Sequence, residues 1–165
     1  MKAISLYLLM ILNSFSGTQT EQESIVYECP QCAQDTANIE VLAEAIYFEA
    51  RSEPKLGQIA VGYVILNRAE NEDYPGSIHE VITQDRKPGD LVCQFSYTCD
   101  NIPDVVYEPE AWEEAMKNAA LVYYKKTPDP TNGSLYYKNS KKSKQKWSTD
   151  WQTVAIGKHT FYKKI

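Results

Sequence analysis

With 165 residues, 43% of them hydrophobic and 24% charged, the chain suits one domain built on one core, and its composition excludes a disordered chain. The formal net charge of −5 hides an asymmetry: acidic residues crowd the first hundred positions, whereas "KNSKKSKQKW" makes the final third basic. Such a run is ordinarily a solvated face, and one able to meet an anionic polymer. No RNA- or DNA-binding motif accompanies it, so no nucleic acid partner is expected.

The chain begins "MKAISLYLLMILNSFSG", with Lys2, an apolar run from Ile4 to Leu12, then Ser14 and Ser16 before Gly17. This order predicts a secretory signal peptide over residues 1–16. The apolar run is far shorter than the ~20 residues of a membrane span, so no stable membrane insertion is expected after cleavage. The alternative is an uncleaved N-terminal anchor. Export implies a secreted or periplasmic protein. Residues 17–37 are polar and aperiodic and carry a cysteine pair, so they read as a segment leading into a domain over 38–165.

Export also bears on the four cysteines, which an oxidising compartment turns into disulfides. Cys29 and Cys32 form "CPQC", and Cys93 and Cys99 close "CQFSYTC". Three pairings are open, and the short spacings favour the two local ones. No thioredoxin-like unit surrounds Cys29, and the second spacing does not suit zinc, so structural staples are expected.

The first periodic element is "NIEVLAEAIYFEA", where Ile39, Leu42, Ile46 and Glu49 recur at helical spacing behind Asn38 as N-cap. Pro54 disfavours helix at Glu53, so this helix should stop near Arg51 or Ser52. Pro54 then opens a second helix, apolar almost all round from Ile59 to Leu66 and therefore central. "DYPGSIHEVIT" reads as a turn and a short helix, and "RKPGDLVCQFSYTCDN" as an irregular loop pinned by cysteines. A long helix follows between Pro109 and Pro128, and "GSLYYKN" and "HTFYKK" alternate like strands. The expected fold class is α+β: a mostly helical single domain with a small β element near the C-terminus.

Glu49 stands out because it lies on the stripe that should face the core. An ionised carboxylate buried without partners is very costly, so such a group pairs, holds a proton or faces a cleft. Desolvation raises a glutamate's pKa, and a glutamic acid still protonated near neutrality can act as a general acid. That is the chemistry a glycosidic bond needs, since its leaving oxygen must be protonated. The plainer reading is a salt bridge to Arg51 or Arg68. Glu53, one turn further on, would face Glu49 only on an unbroken helix, which Pro54 makes doubtful.

Four blocks, "LAEAIYFEARSEPKLGQIAVGYVILNR", "QFSYTCD", "GSLYYKN" and "IGKHTFY", together resemble the SleB-like cell-wall hydrolase family, named for spore cortex-lytic enzymes but spread widely in bacteria and phages. The resemblance runs from about Ile39 to Tyr162. It implies a lysozyme-like fold that cuts peptidoglycan glycan strands between N-acetylmuramic acid and N-acetylglucosamine. It further implies Glu49 as the catalytic acid and no metal or other cofactor. Some members are lytic transglycosylases, in which one glutamate first protonates the leaving oxygen and then serves as base while a 1,6-anhydro ring closes. That route is favoured here over a water-using muramidase or a non-catalytic wall-binding module, and a monomer is expected. Ser52 stands where the family usually has glycine, and costs on the order of 1 kcal/mol if the position is left-handed. Lys138 stands where the family often has histidine, leaving a cation that could touch the substrate.

Supporting substrate-binding roles fall to Arg51 and Glu53 beside the acid, to Gln94, Phe95 and Ser96 in the cysteine-closed loop, and to Tyr137. Tyr136 and Tyr137 point to opposite sides of a strand, so one packs inward and the other is available to a sugar. Trp112, Trp147 and Trp151 read as packing residues. Neither His79 nor His159 has neighbours that complete a metal-ligand set, and His159 reads as structural.

Overall fold

The computed structural model describes residues 29–84, 93–140 and 151–165. The expected signal segment and Trp147 lie outside them. The chain forms helices α1 (Pro30–Ala50), α2 (Lys55–Ala69), α3 (Ile78–Thr83) and α4 (Pro109–Tyr123), with a 3₁₀ turn at Ser96–Cys99. Strands β1 (Tyr136–Asn139), β2 (Trp151–Ile156) and β3 (His159–Lys164) form an antiparallel sheet in the order β1-β3-β2. This is the mostly helical α+β architecture expected, with its small sheet at the C-terminal end.

Helix α1 starts nine residues earlier than its hydrophobic period indicates, at Pro30 instead of Ile39. Its N-cap is Cys29, whose sulfur accepts the Cys32 N–H, and Pro30 opens the first turn. Asn38 therefore lies inside the helix and is not its cap. Polar contacts explain the extension. Gln31 donates to Asp35 at 2.7 Å, and the Tyr123 hydroxyl of α4 donates to Asp35 at 2.9 Å. Asn38 donates in turn to the Tyr123 oxygen at 3.2 Å. This turn docks on α4 through hydrogen bonds, a signal that hydropathy does not carry. Both disulfides are local, Cys29–Cys32 and Cys93–Cys99.

Further along α1, Leu42, Ala43, Ala45, Ile46, Tyr47 and Ala50 are all buried. They pack on α2, whose residues from Gly57 to Leu66 are buried without a break, as its all-round apolar run predicts. At Gly62 the three helices pack tightly. A Cβ there would lie 3.0 Å from Ile46 of α1 and 3.2 Å from Val122 of α4. The Tyr47 hydroxyl accepts from the Tyr107 and Glu108 N–H groups, both at 3.2 Å, and so satisfies donors at the start of α4. No helix among the described residues is long and apolar enough to cross a membrane.

The sheet has one strand more than the alternation signals. β2 pairs with β3 from Trp151↔Lys164 to Ile156↔His159, around a turn at Gly157 and Lys158. Its burial runs intermediate, exposed, exposed, intermediate, exposed, buried, which is too irregular for a clean two-residue period. Trp151 packs at 5.0 Å against Tyr136, in keeping with a packing role.

Candidate active site

Glu49 lies on the last turn of α1 and lines a cleft of about 500 Å³ whose opposite wall is the sheet, with Asn139, Lys158 and His159. The Tyr137 hydroxyl of β1 donates to Glu49 Oε2 at 3.1 Å. Among the described residues Glu49 forms no ion pair, and the Arg51 or Arg68 bridge of the plainer reading is not made. Burial pushes its carboxyl above the ordinary 4.5; the Tyr137 hydrogen bond and the charge of Arg68 pull part of the way back. The carboxyl is thus largely desolvated, held by one hydroxyl, and open to the cleft.

Arg51 turns away from it. Its Nε pairs with Glu108 Oε1 at 2.9 Å, and its guanidinium lies 5.0 Å over the Tyr47 ring. This cation is thereby paired with Glu108 at the cleft rim and not with Glu49. Arg68 is the buried counterpart. It donates to the Leu135 carbonyl at 2.7 Å just before β1, and lies 5.8 Å over the Phe95 ring.

Glu53 also reaches the cleft wall, but its oxygens are engaged. Its side chain is 2% exposed, and Oε2 accepts the Lys158 N–H at 2.8 Å while Oε1 lies 3.5 Å from the Lys158 ammonium. The same ammonium donates to the Ser52 carbonyl and hydroxyl. Gln58 donates to the Glu53 carbonyl at 3.2 Å and accepts from buried Asn118 at 3.0 Å. The α1–α2 corner is thereby locked to the β2–β3 turn. The turn has no space to spare: Gly157 has φ +59°, and a Cβ on it would lie 2.2 Å from Glu53 Oε2. Ser52, by contrast, is not among the residues with positive φ, so it carries no left-handed strain.

Other expected site residues are placed differently. Phe95 is core, at 1% exposure, and neither it, Gln94 nor Ser96 lines the cleft. The cysteine-closed loop contributes through the next residue instead: Tyr97 stacks on Phe48, a cleft residue, at 4.8 Å. Its apolar period had no strand or helix to reveal which side chain faces inward. Tyr137 is the inward tyrosine of its pair, and it holds the acid instead of offering an open sugar platform. Lys138 points to the other face of the strand, with its ammonium 5.4 Å over the Tyr162 ring. Asn139 and His159 were missed as cleft residues. His159 meets the Tyr137 ring edge-on at 5.3 Å, behind the hydrogen bond to Glu49. The "YYKN" alternation, which puts Asn139 on the same face as Tyr137, was the available signal.

A family model described as cell wall hydrolase matches residues 52–162. The chain belongs to the cell wall hydrolase family. A spore cortex-lytic enzyme of Bacillus cereus is 36% identical over 127 residues, which are 76% of this chain and 44% of that protein. The spore cortex-lytic enzyme of Bacillus subtilis is 33% identical over 128 residues, 75% of this chain and 37% of that one. The chain thus spans less than half the length of these curated relatives. Among solved structures, the catalytic domain of the germination-specific lytic transglycosylase SleB from Bacillus anthracis is similar at a TM-score of 0.59 and 35% identity, covering 79% of this chain and 95% of that one. The catalytic domain of Bacillus cereus SleB is similar at a TM-score of 0.58 and 31% identity, covering 79% and 91%. The family match ends within β3, in the sheet across the cleft from Glu49.

Two stability measurements test this geometry. Gly157→Ala should cost about 3 kcal/mol or more in chemical denaturation, since it combines a left-handed position with a clash against a buried carboxylate. For Glu49 the folded pKa is raised, so the native state holds the extra proton and stability falls as pH rises above 4.5. Glu49→Gln should therefore match the wild-type Tm well below that pH, exceed it by a growing margin as pH rises toward the raised folded pKa, and keep a constant margin beyond it.

Proposed function

We propose that this protein cleaves the glycan strands of peptidoglycan between N-acetylmuramic acid and N-acetylglucosamine, as a lytic transglycosylase with Glu49 as both acid and base. The observation that carries this reading is the solitary character of the Glu49 carboxyl. It opens into the cleft, its pKa is raised by burial, and among the described residues lining the cleft it has no free partner carboxylate. Glu53 is tied to Lys158, and Glu108 is tied to Arg51. An inverting hydrolase needs a second carboxylate to activate water, and a retaining one needs a second as nucleophile. The transglycosylase route needs neither.

In the first step the Glu49 acid gives its proton to the bridging oxygen as the muramic C1–O bond breaks and positive character develops at C1. The resulting carboxylate then takes the proton of the muramic 6-hydroxyl while that oxygen bonds to C1. The products are a 1,6-anhydro end and a free 4-hydroxyl, and Glu49 regains its proton. Tyr137 steadies the carboxylate between the two steps, and the charge of Arg68 favours the same form. Action on wall polymer supports an exported enzyme in a secreted or periplasmic setting, and the reading takes it to work as a monomer.

Digestion of purified sacculi, with muropeptides resolved by mass, should yield anhydro-ended fragments. Glu49→Gln should lower the rate about 1000-fold. Intact strands with the wild-type protein would remove the proposal, and reducing muramic ends would replace the ring-closing step with attack by water. Tyr137→Phe removes a hydrogen bond that favours the carboxylate, so the Glu49 pKa rises further. The alkaline limb of its pH–rate profile should move upward, with kcat down about tenfold.

A further inference from the structure

The cleft does not end at Arg51. A second hollow of about 220 Å³ shares Phe48, Arg51 and Glu108 with it and is walled beyond them by Tyr97 and Asp104. A third, of about 240 Å³, shares Tyr97 and Asp104 with the second and reaches Glu44 of α1. Glu44, Phe48 and Arg51 lie at i, i+4 and i+7 on one face of that helix, so the groove follows it for about 10 Å.

The chemistry changes along this arm. Next to the cleft, the charges of Arg51 and Glu108 cancel at 2.9 Å. Beyond them, Glu44 and Asp104 form no hydrogen bond or ion pair among the described residues. Burial, together with the charge of Asp104, pushes the Glu44 carboxyl above its ordinary value. A carboxyl whose charged form is disfavoured by a neighbouring carboxylate leaves a local demand for a cation. Apolar side chains stand beside them: Ile102 is 67% exposed and Val105 42%, on the segment that walls the second hollow. A ligand with short aliphatic stems and a free ammonium fits both features.

Resting on the peptidoglycan reading above, we propose that this arm receives the stem peptide hanging from the muramic acid lactyl group, with the free side-chain amine of its diamino acid between Glu44 and Asp104. Two aspects of the substrate lead to this occupant. A fully N-acetylated glycan strand carries no cation, so only the stem supplies one. The stem also leaves the glycan at the sugar whose bond is cut, so it must exit the cleft close to Glu49, and the arm opens next to Phe48.

The test compares strands bearing intact stem peptides with strands stripped of them by an amidase. Glu44→Gln combined with Asp104→Asn should raise KM on peptide-bearing strands about fivefold relative to KM on stripped strands, with kcat little changed, as expected when two solvent-accessible carboxylates that meet an ammonium are neutralised. Acetylating the stem amine should impose the same rise on the wild type. An equal change on both substrates, or none on either, would overturn the arm. So would a loss that tracks N-deacetylated glucosamine instead of the stem. Co-sedimentation of Glu49→Gln protein with the two kinds of strand reads the preference without turnover. Preferential retention on peptide-bearing strands that the double substitution abolishes supports the arm even if the wild type cleaves neither, and equal retention overturns it even if the enzyme is active.

Discussion

A carboxyl group on the last turn of a buried helix cannot be solvated from the helix side, and the rest of the fold is arranged around that limitation. Burial of α1 continues through Ala50, one residue past Glu49, so water is removed from one flank of the acid. The other flank is supplied by a strand nearly ninety residues away, where Tyr137 gives a single hydroxyl at 3.1 Å. One neutral donor offsets only part of the desolvation, and the acid keeps its proton more tightly than in water. A guanidinium at the same spot would have reversed this. Arg51 is near enough in sequence to do so, yet it is drawn to Glu108 at the rim.

Two glutamates four residues apart thus take different roles, and the local chain path separates them. The Glu53 N–H bonds the Ala50 carbonyl at 2.8 Å, the helix ends, and the second side chain swings to the β2–β3 turn. There it is fully enclosed against Gly157 and bonded to the Lys158 N–H. A buried carboxylate satisfied by a backbone donor and an ammonium is a brace, whereas one met by a single hydroxyl and an open cleft stays accessible to a ligand. The brace matters to Glu49, because the turn it fixes leads directly into His159, which backs Tyr137.

Arg68 adds a second layer. Buried at 5% exposure, it fastens the chain before β1 through the Leu135 carbonyl, and places a positive charge behind both Tyr137 and Glu49. That charge tempers the rise in the pKa of Glu49, which burial drives. The counterweight comes from the C-terminal end of α2, and Asn67 beside it bonds Asp129 and the Ser134 carbonyl in the loop that leads to β1. The two residues that close the "VILNR" block therefore position the strand that meets the acid.

The primary sequence was sufficient for the helices, the break at Pro54, and the anomaly of Glu49, because each follows from short-range periodicity or from the geometry of proline. The local cysteine spacings likewise pointed to the pairs that form. Its limits were those of any one-dimensional pattern. The N-terminal half of α1 is held by Tyr123 of α4, β2 takes its order from β3, and the side chain of the cysteine loop that stacks on the cleft residue Phe48 is Tyr97. Whether Glu49 would meet Arg51, Arg68, Glu53 or a hydroxyl was open on the page of letters, since all lay within plausible reach. Tertiary packing chose Tyr137, by bringing the sheet against the end of α1 and giving every competing charge a partner elsewhere.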